Sequence, residues 1–183
     1  MKLAIFVNLV IFNAVWFACV LGAANNKAWI GLLALLGFAV WQLSISRHRR
    51  ADVYIFITAG IIGTIIDTAY SQTGLLAYAS PAPGPDFAPW WIIALWLNFS
   101  LALNYCLRWL QGFLPLSVVF GFVGGPLAYY GGVKLNAVFI QTESVWPALL
   151  IIGLAWALVT PLLVYLSGWF VRQQQLTALK DTA

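Results

Sequence analysis

Six long runs of apolar residues, separated by short polar connections, constrain this chain more than any other feature of its sequence. The runs cover residues 3–24, 28–45, 53–77, 89–107, 114–140 and 145–171. Each is close to the roughly 20 residues that an α-helix needs to cross the hydrocarbon core of a bilayer. Only 8% of the residues are charged, whereas soluble domains contain about 25%. The sequence therefore predicts an all-α fold, a polytopic membrane helix bundle with six transmembrane helices.

The length of the chain leaves room for one bundle and for no separate soluble domain. We predict a single transmembrane bundle over residues 1–171 and a polar cytoplasmic tail over residues 172–183. The first run, which follows Lys2, shares some features with a cleaved signal peptide. It is longer than the usual apolar region of such a peptide, however, and it contains Asn8 and Asn13. We therefore interpret it as the first membrane helix.

The positions of the basic residues indicate how the chain is threaded. With six spans and both termini cytoplasmic, most of the Lys and Arg residues fall on the cytoplasmic side. These are Lys2, Arg47, Arg49, Arg50, Arg108, Arg172 and Lys180. Cytoplasmic connections of membrane proteins carry such an excess of positive charge. Tryptophans also fall near both ends of the runs, as in interfacial belts, so both signals favour cytoplasmic termini.

The segment GIIGTIIDTAYSQTG, residues 60–74, places one carboxylate, Asp67, inside the third run. A charge near the centre of a membrane helix costs about 2.5–3.5 kcal/mol, so it normally faces protein or a wet cavity. At helical spacing Asp67 shares a stripe with Gly60, Gly63 and Tyr70. Small residues in such a stripe let neighbouring helices approach closely. We therefore expect Asp67 to face other helices, in the outer half of the membrane.

Lys134 is the other charged residue inside an apolar run, within the segment GGPLAYYGGVKLNA. Its depth, counted along the helix, differs from that of Asp67 by less than the reach of a lysine side chain. We therefore predict an Asp67–Lys134 ion pair, direct or through water, and these two residues are the candidate catalytic residues. The alternative is that Lys134 extends to the outer headgroups and does not contact Asp67.

Further polar and aromatic side chains within the runs are candidates for lining a substrate pocket. They are Asn13, Trp16, Tyr70, Asn98 and Tyr130. For the two asparagines the alternative role is a hydrogen bond between helices. For Tyr130 and its neighbour Tyr129 the alternative is packing or an interfacial position.

Several classes of site are disfavoured by the residues that the chain contains. His48 is the one histidine and lies in a basic connection, and the acidic residues are scattered, so we predict neither a metal site nor a bound cofactor. The phosphate-binding and dinucleotide-binding fingerprints do not occur in it. The basic residues read as topology signals, and we predict no nucleic-acid partner. Cys19 falls near the outer end of the first span and Cys106 near the inner end of the fourth, so a disulfide between them is not expected.

Four segments carry a resemblance to a known family. They are NLVIFNAVWFACVLGAAN at residues 8–25, GTIID at 63–67, WWIIALWLNFSLALNYCLRWL at 90–110 and GGPLAYYGGVKLNA at 124–137. Together they resemble the DUF2878 family of small bacterial inner-membrane proteins, a domain of unknown function. The resemblance implies a multi-pass protein of the bacterial inner (plasma) membrane. Genes of this family often lie near genes for fatty-acid cyclopropanation, which implies a connection with lipids.

Three functions are compatible with the sequence, which does not decide whether the protein is an enzyme. The first is a metal-free enzyme, or an accessory factor, that modifies an acyl or isoprenoid membrane lipid, with Asp67 as acid or base beside Lys134. The second is a small dimeric carrier in which the pair acts as a gate. The third is a structural or assembly subunit in which the pair fixes helix register. The expected partners are membrane lipid and either a second copy or another membrane protein.

Overall fold

The computed structural model describes residues 2–180, and its helices follow the apolar runs. Within this part of the chain the α-helices are α1 (Lys2–Ala24), α2 (Trp29–Ile45), α3 (Arg49–Gln72), α4 (Trp90–Leu103), α5 (Leu114–Lys134) and α6 (Val145–Lys180). The strands are β1 (Leu76–Tyr78) and β2 (Val138–Ile140), and a 3₁₀ helix covers Arg108–Gly112. The predicted all-α class is confirmed.

The helices differ in whether they could cross a membrane by themselves. Among the described residues, α1, α3, α5 and α6 are long and apolar enough to do so. The helices α2, with 17 residues, and α4, with 14 residues, are apolar but shorter. The protein therefore has the character of a membrane protein. By length and composition, the described residues contain four candidate spans, compared with the six that the runs predict.

The short helix α4 lies at the centre of the bundle. It packs against α1, α2, α3 and α6, and most of its side chains are buried. The outer helices bury far less and expose apolar faces, for example Leu33 on α2, Ile65 on α3 and Leu158 on α6. A helix surrounded by other helices has its polar backbone shielded by protein, so its length need not match the bilayer.

Two helices end earlier than the apolar runs predict. The third run continues to residue 77, but α3 ends at Gln72, and Gly74 has a positive φ of 67°. The fifth run continues to residue 140, but α5 ends at Lys134, and Asn136 has a positive φ of 58°. The apolar residues that follow each turn form β1 and β2, which pair antiparallel. Their backbone groups are thus satisfied by each other and not by a helix.

Side-chain and strand contacts define two ends of the bundle. The C-terminal ends of α1, α3 and α5 meet at one end, because β1 pairs with β2 and Ser80 Oγ donates a hydrogen bond to the Ala23 carbonyl at 3.0 Å. The start of α3 lies beside the far part of α6 at the other, since the Ala51 amide donates to Gln174 Oε1 at 3.0 Å. Consecutive helices therefore run in alternating directions.

The two ends differ in charge. One end carries Arg47, Arg49, Arg50, Arg108, Arg172 and Lys180, and we call it the basic end. The opposite end carries Lys27, Lys134, Asp86 and Glu143. The separation of basic residues that the sequence predicts is therefore present along the bundle axis.

The part of the predicted polar tail that the structure describes, residues 172–180, belongs to α6. The helix α6 continues without interruption to Lys180, and residues 181–183 lie outside the described range. At about 1.5 Å per residue, the 36 residues of α6 exceed the thickness of a bilayer core, which is about 30 Å. The last turns of α6 lie at the basic end, where Gln174 contacts the start of α3.

Candidate functional site

Asp67 lies on the buried face of α3, where the sequence places it. Its side chain is fully buried, with 0% exposure. Gly60, Gly63 and Tyr70 are buried on the same face. The predicted small-residue stripe is thus the contact surface of α3, and Asp67 faces protein.

Three aromatic side chains donate hydrogen bonds to the Asp67 carboxylate. The Tyr78 and Tyr129 hydroxyls each lie 2.6 Å from Oδ1. The Trp96 indole Nε1 lies 2.6 Å from Oδ2. These donors come from β1, α5 and α4, so Asp67 joins four elements of the fold. We refer to Asp67, Tyr78, Trp96 and Tyr129 as the carboxylate cluster.

Local packing positions the Trp96 indole against α3. A Cβ atom at Gly63 would overlap the Trp96 ring, so only glycine leaves room for this side chain. On its other side the Trp96 ring stacks on Trp156 of α6, with centroids 4.5 Å apart and planes 20° apart. Trp156 in turn fits against α5 because residue 125 is also a glycine. Close helix contacts at glycines thus hold the indole N–H in line with Asp67.

Hydrogen bonds compensate the Asp67 carboxylate for its loss of water. Hydrogen bonds to charged groups contribute about 1.5–3 kcal/mol each, and inserting a carboxylate into a membrane helix costs about 2.5–3.5 kcal/mol. Three such bonds therefore offset much of this cost without a cation. Tyr78 lies outside the long helices, and burial beside the Asp67 carboxylate raises the pKa of its hydroxyl well above the ordinary value. This hydroxyl therefore stays protonated and remains a donor.

The predicted Asp67–Lys134 ion pair does not form. Lys134 is exposed, and its Nζ lies 5.0 Å from the centre of the Tyr130 ring. The reason is rotation about α5 and not depth. At about 100° per residue, Lys134 lies about 140° around the helix from Tyr129, which faces Asp67. The alternative expectation, an exposed lysine that does not contact Asp67, agrees with this geometry.

The predicted pocket residues differ from one another in exposure and in their contacts. Tyr130 is exposed beside Lys134. Tyr70 is buried with its ring 6.2 Å from that of Tyr129, and its hydroxyl has no hydrogen-bond partner. Asn98 Nδ2 donates to the Phe12 carbonyl of α1 at 3.0 Å, which is the interhelical bond considered as its alternative. Asn13 is exposed, and its Nδ2 bonds within its own helix, to the Leu9 carbonyl at 2.8 Å.

A cavity of about 400 Å³ lies beside the carboxylate cluster. Helices α1, α4, α5 and α6 contribute to its walls, and its lining is mainly aromatic and aliphatic. Among the predicted pocket residues, Asn13, Trp16 and Asn98 line it, whereas Tyr70 and Tyr130 do not. We call this cavity the lateral groove, because exposed lining residues on α1 and α5 open it to the side of the bundle. They include Asn13, Phe17 and Leu127.

The lateral groove contacts the carboxylate cluster through two of its members. Trp96 and Tyr129 line the groove, whereas Asp67 does not. The wall therefore consists of the aromatic rings, and the carboxylate lies behind them. No charged side chain of the described residues lines the groove. This site suits an uncharged and mainly apolar ligand.

Three residues of the cluster, Tyr78, Trp96 and Tyr129, were not among the predicted site residues, and only Tyr129 had a signal in the sequence. Tyr129 shares a face of α5 with Gly121, Gly125 and Gly132, all buried, so the stripe argument used for Asp67 would have selected Tyr129 over Tyr130. Trp96 lies two residues before Asn98 in a tryptophan-rich helix, without a distinguishing pattern. Tyr78 owes its position to the pairing of β1 with β2, which the sequence does not indicate.

A second buried carboxylate, Asp52, lies at the basic end. It accepts hydrogen bonds from Ser46 Oγ at 2.6 Å, from Asn104 Nδ2 at 2.8 Å and from the Tyr105 hydroxyl at 2.8 Å. These residues connect the end of α2, the start of α3 and the end of α4. Asp52 does not line the lateral groove, so its contacts support a structural role. Among the described residues no group of three or more His, Cys, Asp or Glu side chains could hold a metal ion.

A comparison with known families gives a match that covers most of the chain. A family model described as a protein of unknown function (DUF2878) matches residues 5–162. This range includes every member of the carboxylate cluster and every residue that lines the lateral groove. No curated protein and no solved structure matches the chain.

Proposed function

The chain belongs to the DUF2878 family, and from that premise we propose that it binds the apolar chain of a membrane lipid in the lateral groove. We further propose that the protein takes part in the modification of this acyl or isoprenoid lipid, as the enzyme or as an accessory factor. The observation that carries the proposal is an uncharged, aromatic groove that opens to the side of a bundle of apolar helices. In this proposal the protein lies in the inner membrane of a bacterial cell.

The proposed orientation places all six helices across the membrane with the basic end in the cytoplasm. The alternating helix directions support it, because every connection then falls at one of the two ends. The six basic residues of the basic end support it as well, since positive charge is retained on the cytoplasmic side. In this orientation the mouth of the lateral groove faces the hydrocarbon region.

The lining of the lateral groove favours a lipid chain over a headgroup. Its volume of about 400 Å³ falls within the range of about 300–1,000 Å³ found for small-molecule sites. A charged headgroup would find no ion-pair partner there, since the described lining residues are uncharged. A lipid chain can enter sideways past Phe17 and Leu127, which are 51% and 63% exposed, without passing through water.

Asp67 acts in this proposal through the residues that it orients. Its carboxylate does not reach the groove, but it fixes Tyr129 and Trp96, which do. Asp67 is therefore a positioning residue and Tyr129 is the candidate to contact the lipid. The hydrogen bond between the two also gives Tyr129 a neighbouring proton acceptor. Lys134 has no part in this site.

A structural role for the carboxylate cluster is the second candidate function. The supporting observation is that Asp67 joins α3, β1, α4 and α5 through three hydrogen bonds. Such a cluster would fix the relative positions of the helices whether or not the groove binds a lipid. The two functions predict different effects of a larger side chain that fills the groove. Lipid binding would be lost, whereas a purely structural role would be unaffected because the carboxylate cluster stays intact.

Photo-crosslinking of lipid to the purified protein tests the proposal. The full chain is placed in nanodiscs of phosphatidylethanolamine that carries a diazirine in one acyl chain, and crosslinked residues are mapped by mass spectrometry. We expect labelling of groove residues such as Leu95 and Phe99, measured relative to the lipid-facing Leu158, which is 75% exposed. A Gly124→Leu variant should lower this ratio several-fold, because position 124 lines the groove and has space for a side chain.

The matched control is Gly37→Leu on α2. Position 37 also has open space around it and does not line the groove, so this variant should label like the parent chain. Equal ratios in all three proteins would reject lipid binding in the groove. The lipid composition of cells that contain the parent chain, Gly124→Leu or no copy of the gene tests the modification itself. An unchanged composition in all three would reject that part of the proposal.

A further inference from the structure

A second groove lies at the basic end, away from the carboxylate cluster, between the start of α3 and the last turns of α6. Its volume is about 440 Å³. Its lining includes Arg50 and Tyr54 of α3 and Trp169, Phe170, Gln173 and Thr177 of α6. We call it the interfacial groove. It shares no residue with the lateral groove, so its role is independent of the proposed function.

The lining of the interfacial groove changes from aromatic to polar along the bundle axis. On α6, Trp169 and Phe170 precede Gln173, and Thr177 follows one turn later. On α3, which runs in the opposite direction, Arg50 lies one turn nearer the basic end than Tyr54. Both walls therefore become polar in the same direction. This order matches an amphiphile whose chain lies beside the rings and whose headgroup lies toward the basic end.

Arg50 gives the polar part of the groove its charge. Its side chain is exposed, and its guanidinium has no ion-pair partner in the described part of the chain. The nearest acidic residue along α3, Asp52, is buried and its two oxygens accept three hydrogen bonds from other residues. The groove therefore presents a cation that no described acidic residue neutralises, beside amide and hydroxyl groups, at the level where aromatic side chains mark a membrane interface.

We propose that the interfacial groove binds an anionic phospholipid, with its phosphate on Arg50 and its upper acyl chain beside Trp169 and Phe170. Basic residues that lie next to a membrane interface attract the anionic lipids of the cytoplasmic leaflet. Gln174 contributes to the shape of the site, because its Oε1 accepts a hydrogen bond from the Ala51 amide and so holds α6 against α3. An anionic lipid bound there would keep the last turns of α6 at the membrane surface.

Native mass spectrometry of the full chain in mild detergent tests this proposal. The protein is titrated with dioleoyl phosphatidylglycerol, with dioleoyl phosphatidylcholine and with inorganic phosphate, and the bound fraction is measured for each. We expect a preference for phosphatidylglycerol over phosphatidylcholine. An Arg50→Gln variant should reduce that preference about fivefold, as expected for one basic residue near an anionic lipid surface.

A second pair of variants separates the groove from the general charge of the basic end. Thr177→Glu places a negative charge in the groove at an exposed position and should abolish the preference. Gln175→Glu adds the same charge at an exposed position of the same helix that does not line the groove, and should leave the preference unchanged. Equal loss in both variants would overturn the proposal. So would the absence of any preference in the parent chain, or binding of inorganic phosphate that reproduces the effect of the lipid.

Discussion

Asp67 accepts hydrogen bonds from two phenol groups and one indole group, and each donor belongs to a ring that packs on its neighbours. Neutral donors of this kind stabilise a carboxylate without burying a second charge, whose desolvation would cost several kcal/mol more. The donors are also rigid, because an aromatic side chain has only two rotatable bonds. The carboxylate thus fixes the rings, and the rings form one wall of the lateral groove.

The contribution of a single donor can be measured at Tyr129. We expect Tyr129→Phe to lower the free energy of unfolding by about 1–3 kcal/mol, because one bond to a buried charged group is lost while the ring remains. The measurement is SDS-induced unfolding of the purified protein, followed by circular dichroism. The control is Tyr130→Phe, one residue further along the same helix. Tyr130 is 37% exposed and does not bond to Asp67, so its variant should stay within about 0.5 kcal/mol of the parent. Equal effects of the two variants would show that the Tyr129 hydroxyl contributes nothing specific.

At the scale of elements, the contact between α3 and α4 depends on the absence of a side chain at position 63. We expect Gly63→Ala to destabilise the protein by about 1–3 kcal/mol, because an added methyl group displaces the Trp96 indole from its packed position. The same unfolding assay measures the effect. Gly37→Ala makes the identical change in α2 where nothing lies near the new atom, and it should be neutral or slightly stabilising. A stable Gly63→Ala protein would show that α3 and α4 can move apart at little cost.

The apolar runs were sufficient to predict six helices but not their ends. A run shows which residues avoid water, and both a helix and a buried strand satisfy that requirement. The helices α3 and α5 stop at turns with positive φ at Gly74 and Asn136, and the residues beyond them pair as β1 and β2. The pairing joins segments about sixty residues apart in sequence, as the partners Tyr78 and Val138 show, and local patterns do not contain that information.

The site was predicted only in part, because the depth of a residue in the membrane and its direction around the helix axis are separate pieces of information. The stripe of small residues gave the buried face of α3 and hence the position of Asp67. Depth alone predicts that Lys134 pairs with Asp67. The direction of Lys134 around the axis of α5 instead places it beside Tyr130, on the side away from the carboxylate. The same stripe argument applied to α5 would have selected Tyr129. The lateral groove itself follows from how four helices meet, which a single sequence does not specify.

At the scale of the whole molecule, the short helix α4 depends on its neighbours. Its 14 residues would span only about 21 Å, less than the roughly 30 Å of a bilayer core. It is nevertheless surrounded by α1, α2, α3 and α6, and the turns and the 3₁₀ helix that follow it continue to the basic end. A proposal of six crossings therefore requires α2 and α4 to cross as parts of the bundle and not as independent spans.

Cysteine labelling of spheroplasts tests these crossings one connection at a time. Asp86→Cys and Glu143→Cys place an exposed thiol in the connections before α4 and before α6, whereas Arg47→Cys and Gln175→Cys place one at the basic end. With six crossings and a cytoplasmic basic end, a membrane-impermeant maleimide should label the first two variants at once and the other two only after permeabilisation. The parent chain should stay unlabelled before permeabilisation, because Cys19 is fully buried and Cys106 is partly buried near the basic end.

Labelling of Arg47→Cys in sealed spheroplasts would mean that α2 does not cross. If Asp86→Cys is labelled and Glu143→Cys is not, α4 does not cross, since α5 would then return the chain to the cytoplasm. Only the combined result, with 86 and 143 outside and 47 and 175 inside, requires both short helices to span the membrane together with the four long ones.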